Sequence, residues 1–264
     1  MKRRIALIAL GLVVFLVTLA LTIPASQAYR LLEGELPLDA MELQGNLLEG
    51  GADTLVVEGI RIDQVRWRLD TSALRSAQVV YHVSGQVADG QFSGRVSPGT
   101  DGRVTLSDVR AEVGADALVR LVGETHYPAT LGGRVDATIR DAELHRGQPV
   151  RLDGVVNWSG ASVSALGETV ALGSFGARAE TTAGGGLRSD LRNTEPGPLD
   201  VDGMIELALD GTMTGTTRVT TTDAASEELL QGMMALGIPD PTETLDIRFE
   251  GNINDPMGFH GRLQ

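Results

Sequence analysis

Cysteine is absent from this chain of 264 residues, and aromatic side chains are scarce, with two Trp, three Tyr and five Phe. Without a thiol there is no disulfide framework, no thiolate zinc site and no cysteine nucleophile. Without many rings, the core has to be built mainly from Val, Leu, Ile and Ala. Histidine is nearly as rare: His82, His126, His145 and His260 are isolated from one another, no HExxH string occurs, and each reads as a surface or strand-edge residue. The hydrolase elbow GxSxG is missing too, its nearest approach being GASVS at 160–164, without the final glycine. Gly184, Gly185 and Gly186 run into LRSD, which has neither the Lys-Ser/Thr ending of a phosphate loop nor the spacing of a dinucleotide fingerprint, so they read as a turn. The acids are numerous, but no spacing among them selects a glycosidase pair. The sequence therefore predicts no catalytic residue, no metal ligand and no cofactor, and points away from an enzyme. NWS at Asn157 matches a glycosylation sequon only formally.

Basic charge is also in deficit. The chain carries 22 Lys and Arg against 35 Asp and Glu, a net charge of −13. Setting aside Lys2, Arg3 and Arg4, the remainder stands at about −16. Such a balance disfavours nucleic acid, which needs a basic footprint, and electrostatic adhesion to anionic lipid. It is the charge of a domain kept soluble in a crowded compartment.

What the chain does have is a long apolar run near its start. Residues 5–23, IALIALGLVVFLVTLALTI, contain no charge and as a helix nearly match the ~30 Å hydrocarbon core of a bilayer. A cleaved signal peptide is the rival reading, because ASQA at 25–28 resembles a small-residue cleavage site. The run exceeds the usual length of a signal's apolar stretch, which favours an uncleaved anchor. The basic tip then stays in the cytoplasm and the remainder crosses, into the periplasm in a Gram-negative cell. Residues 1–28 are read as tip and anchor, and residues 29–264 as a single periplasmic domain.

Glycine, at 33 residues, makes up about one in eight of the chain, well above ordinary usage. Between the glycines run short segments with period-two alternation, of which QVRWRLD is an example: Val65, Trp67 and Leu69 share one face, Arg66, Arg68 and Asp70 the other. About a dozen such segments follow one another. Helical spacing appears in ASEELLQGMMALG, with Asp223 or Ser226 as cap and Gly237 as stop, and over a turn or two near 115–122. The predicted fold class is all-β: one large curved antiparallel sheet, rolled or half-barrel-like, with one or two short helices, behind an N-terminal transmembrane helix. Helices between most strands, which a doubly wound α/β fold requires, are absent.

GPLDVDGMIELALDG at 197–211 concentrates four acids. If 199–210 is a strand, Leu199, Val201, Ile205, Leu207 and Leu209 face one way and Asp200, Asp202, Glu206 and Asp210 the other. That makes the acids a solvated face. The alternative is a calcium site using Asp200, Asp202 and a neighbouring strand. Trp67 and Trp158 end two similar strings, GIRIDQVRW and PVRLDGVVNW. A strand tryptophan between polar neighbours is usually core, and the competing role for this pair is a partner contact.

From about Gly45 to Ile253 the order of features resembles the inner-membrane protein N family of type II secretion systems. IRIDQVRWRLDTSAL, LDGVVNWSGASV with LGSF, LRNTEPGPLDVDGMIELALDGTMTGTTRV and LLQGMMALGIPDPTETLDIRFEGNI are each similar to a segment of that family, in the family's order. Gly197, Pro198 and Leu199, with Asp210 and Gly211 at the far end, form the clearest marker of this fold. One departure is Leu48, which stands where the family's Gly-x-x-Trp-x-Gly string has tryptophan. The resemblance implies a non-enzymatic, inner-membrane-anchored periplasmic component of type II secretion, whose partners are other components of the machine at the inner membrane. The alternative expectation is an envelope lipid or glycolipid carrier with an apolar groove in its curved sheet.

Overall fold

The computed structural model describes residues 38–57, 60–99, 102–122, 129–145, 148–165, 168–235, 238, 240–252 and 255–263. The anchor expected over residues 5–23 lies outside them. Among the described residues no helix is long and apolar enough to cross a membrane. The chain divides into two compact units between Ser97 and Pro98.

The first unit is an antiparallel meander of five strands in sequence order: β1 (Leu38–Gly45), β2 (Glu49–Val57), β3 (Ile60–Leu69), β4 (Tyr81–Val87) and β5 (Gly90–Pro98). Alternation places Ala52 and Val65 opposite each other in the β2–β3 ladder, and both are buried. Asp70 ends β3 by accepting hydrogen bonds from the amide and hydroxyl of Ser72 at 2.9 and 2.6 Å, which starts a short 3-10 turn over Ala73–Ser76.

The second unit holds β6 (Arg103–Gly114), β7 (Ala129–His145), β8 (Gln148–Ala165), β9 (Glu168–Thr181), β10 (Leu187–Glu195), β11 (Leu199–Leu207), β12 (Thr212–Thr221), β13 (Leu245–Asn252) and β14 (Asp255–Leu263). Each pairs antiparallel with the next. The middle strands are long, 17 and 18 residues in β7 and β8, and are interrupted by bulges. At one of these Gly133 takes φ +94°, and a Cβ there would meet the carbonyl oxygen of Gly160 at 2.6 Å. Only glycine fits such a close backbone approach.

Among the described residues two short α-helices interrupt the strand order. The first, α1 (Ala115–Val122), packs against β6 and β7 with Ala115 and Ala117 buried. The second, α2 (Glu227–Ala235), buries Leu229 and Met233, one turn apart, and packs against β9. Ser226 caps it as the sequence predicts, its hydroxyl accepting from the amide of Leu229 at 3.3 Å. The predicted stop at Gly237 lies outside the described residues.

Every neighbouring pair of strands within each unit is antiparallel, as an all-β reading requires. Alternation gives the second unit a polar face and an apolar face. On the apolar face Ala161, Phe175 and Val201 form the core cluster, flanked by Trp158, Leu172, Leu191, Leu199 and Val219. Buried apolar residues are dominated by Ala and Val, in keeping with the scarcity of rings.

Candidate functional site

The segment that drew attention in the sequence forms β11, and its alternation is the one expected. Val201 is buried and Leu199, Ile205 and Leu207 are half-buried, while Asp200, Asp202 and Glu206 are exposed. The strand stops at Leu207, however, and not at residue 210. Ala208, Leu209 and Asp210 enter a turn closed by the amide of Gly211 donating to the carbonyl of Ala208 at 3.0 Å. Leu209 consequently leaves the apolar face and is 65% exposed. Asp210 accepts from the amide of Thr212 at 2.9 Å, which holds its carboxyl below the usual range. Its role is to shape the turn. Gly211 is buried at the same corner.

Gly197 and Pro198 hold the other end of the marker. The hydroxyl of Thr222 donates to the carbonyl of Gly197 at 2.6 Å, and its amide to that of Pro198 at 2.9 Å. These bonds tie the start of β11 to the end of β12.

Register then shows what the acids of β11 face. Reading across β10, β11, β12 and β13 on the polar side, one row runs Arg192, Asp202, Arg218, Asp246, alternating in sign at every step. The next row runs Asp190, Met204, Thr216, Arg248. Met204 and Thr216 are uncharged and sit between longer charged side chains, so the surface dips there. The depression has a volume of about 610 Å³.

Within it Arg218 donates to Asp246 at 3.1 Å and Arg188 to Asp190 at 3.3 Å. Arg192, Asp202 and Arg248 form no ion pair within 4 Å among the described residues. Strand neighbours lie about 4.8 Å apart, so Asp202 stands directly between two arginines. Asp202 so placed brings a single carboxylate to a cation, far short of the oxygen ligands that the calcium site considered above requires. Among the described residues no group of three or more His, Asp or Glu is arranged to hold a metal ion.

Both tryptophans are half-buried and hydrogen-bonded to backbone. Trp67 donates its indole N–H to the carbonyl of Asn46 at 3.0 Å, and Trp158 to that of Gly132, also at 3.0 Å. Trp158 packs against Phe175 with ring centroids 6.1 Å apart and planes tilted by 54°. Among the histidines, His82 lies 3.6 Å from Asp70 at the surface of the first unit and His145 ends β7. His126 and the side chain of His260 lie outside the described residues.

Acids of one strand, taken alone, led to Asp202 but missed Arg192, Arg218 and Arg248. The signal was there: LRSDLRN and LDIRFEGN alternate charged and apolar residues as regularly as β11 does. What joins them into one surface is cross-strand register, which no single segment contains.

These features define an antiparallel β protein with a mixed-charge depression on the polar face of its second unit. The family model for type II secretion system protein N matches residues 37–248, about four-fifths of the sequence, and the chain belongs to that family. Its members are components of type II secretion and are in general non-catalytic. No curated protein and no solved structure matches the chain.

Proposed function

We propose that this protein is a non-enzymatic component of a type II secretion system, anchored in the inner membrane by residues 5–23, with residues 29–264 in the periplasm. The observation that carries the reading is the family match over residues 37–248. The basic tip and uncharged run that precede the match support the topology. The role is to contact other components at the inner membrane and so contribute to export across the outer membrane. Deletion in a strain whose remaining machinery is intact should reduce export of type II substrates. Unchanged export would remove the role. Fusion of a reporter active only in the periplasm to the C-terminus tests the topology separately, and an inactive reporter would overturn it.

A second reading is an envelope lipid or glycolipid carrier. Its starting point is the apolar face of the second unit, where Trp158, Leu191, Leu199, Ile205 and Val219 are half-buried and, among the described residues, no large side chain is fully buried. Mass spectrometry of the gently purified protein should then find co-purifying lipid, and its absence would count against this reading.

A further inference from the structure

Charged side chains on an exposed sheet face ordinarily satisfy one another, and over much of the second unit they do. Arg103 pairs with Glu143, Arg134 with Glu112, Arg140 with Asp153 and Arg151 with Asp141. Single charges such as Arg110, Asp136, Glu206 and Glu250 also form no ion pair among the described residues, but the depression on β10–β13 gathers several unpaired charges, of both signs, into one concavity. Its paired charges, Arg188 with Asp190 and Arg218 with Asp246, leave Arg192, Arg248 and Asp202 without an ionic partner among the described residues. Two guanidinium groups and one carboxylate thus remain open around a floor of Met204 and Thr216, in a chain whose net charge is −13.

The ligand class follows from that balance. A guanidinium fork matches a carboxylate or phosphate in bidentate geometry. A phosphate-rich ligand, however, would also meet Asp190, Asp202 and Asp246 in the same depression. A polypeptide carrying both signs meets no such penalty, because its acids can reach the open arginines while a basic side chain reaches Asp202. Geometry sets the spacing. Arg192 and Arg248 lie three strands and one row apart, about 16 Å between their backbones at ordinary strand spacings. An extended chain covers about 14 Å in four residues at ~3.4 Å each, and the length of the arginine side chains spans the rest.

We propose that the polar depression formed by β10–β13 docks an extended segment of another protein that carries two acidic residues about four positions apart with a basic residue between them. This deepens the secretion reading and rests on it for the identity of the partner, but the binding chemistry can be tested alone.

The test uses the full chain in detergent and a fluorescein-labelled peptide Glu-Thr-Lys-Thr-Glu, with its charge-reversed form Lys-Thr-Glu-Thr-Lys as comparison, followed by anisotropy at low salt. The acidic peptide should bind, and the double variant Arg192→Gln, Arg248→Gln should weaken it about tenfold, while Arg61→Gln in the first unit leaves it unchanged. The charge swap Arg192→Glu, Arg248→Glu should transfer preference to the reversed peptide, a gain that misfolding would not produce. Equal affinity for both peptides, no binding of either, or an undiminished affinity in the double variant overturns the proposal. So does inorganic phosphate displacing the peptide more effectively than chloride of equal ionic strength, which would mark an anion site. If the proposal holds but deletion leaves secretion intact, the secretion reading fails alone. If deletion stops secretion and the double variant binds as the wild type does, only the docking site fails.

Discussion

The indole of Trp67 lies across Gly50, the residue directly opposite it in the β2–β3 ladder. A Cβ at Gly50 would come within 2.5 Å of the Gln44 carbonyl oxygen and 2.6 Å of the ring carbon Cζ2, and the ring's N–H is already committed to Asn46. The same relationship recurs twice: Gly85 faces Phe92 across β4–β5, and Gly215 faces Phe249 across β12–β13. In each case the ring covers a residue that has no side chain, and the glycine is there to admit the ring.

Gly50→Ala should therefore destabilise the protein by about 1–3 kcal/mol, the usual cost of overpacking. In a Trp158→Phe background, which isolates Trp67, the emission should also shift to longer wavelength as the indole is pushed outward. A denaturation curve and an emission spectrum check the two effects together. An unchanged melting temperature with unchanged emission would mean that the ring has room to move.

Gly232 makes the opposite case. It sits inside α2, and a Cβ added there meets nothing within 4 Å. Its only contribution is backbone freedom, which a helix interior has to suppress. Gly232→Ala should stabilise the protein by about 0.5–1 kcal/mol, seen as a higher melting temperature. A decrease would indicate that α2 relies on a bend at that position.

Several carboxyls are held below their ordinary values by nearby donors: Asp70 by Ser72, Asp240 by Thr242 and Asp210 by Thr212. A carboxyl lowered on folding contributes stability that is present above its unfolded value, 3.8 for Asp, and is lost as pH falls through the folded value. The melting temperature should fall as the solution is acidified through this range. Asp210→Asn, which keeps an oxygen for the Thr212 amide, should flatten that dependence on the acid side. Glu42 behaves inversely, because its hydrogen bond to Asp53 and their repulsion raise its pKa. Its contribution is present below 4.5 and is lost as pH rises through the raised value. Asp53→Asn should remove that loss, and melting curves across pH separate the two signs.

The strands were legible because alternation is a local signal, which β3 and β11 follow closely, and α2 because Leu229 and Met233 stand at helical spacing. The end of β11 was not, because Leu209 continues the apolar rhythm by one step after the backbone has turned. Only the hydrogen bonds between Ala208, Gly211 and Thr212 distinguish the two. The glycine–aromatic pairs and the Arg192–Asp202–Arg218–Asp246 row were illegible for a different reason. Both are properties of register, and partners such as Gly215 and Phe249 are separated by more than thirty positions in the chain.

Asn193 shows how much one side chain can carry where register changes. The β9–β10 ladder shifts between Asn193 and Glu195, and beside that irregularity the Asn193 amide supplies bonds to β11. Its Nδ2 donates to the carbonyl of Leu199 at 2.7 Å, and its Oδ1 accepts from the amide of Val201 at 2.6 Å. Both groups belong to the start of the fold-marker strand, and Val201 is buried in the core cluster. Asn193→Ala leaves a donor and an acceptor without these partners in a half-buried place, which should cost about 1–3 kcal/mol. Asn193→Asp keeps the acceptor for Val201 but turns a second oxygen toward the Leu199 carbonyl, so it should recover little of the loss at neutral pH. Hydrogen exchange gives the sharper measurement: the Val201 amide should exchange faster in both variants than in the wild type, and in Asn193→Ala more than in Asn193→Asp. Unchanged protection at Val201 would show that the β11–β12 ladder holds this strand without help from Asn193.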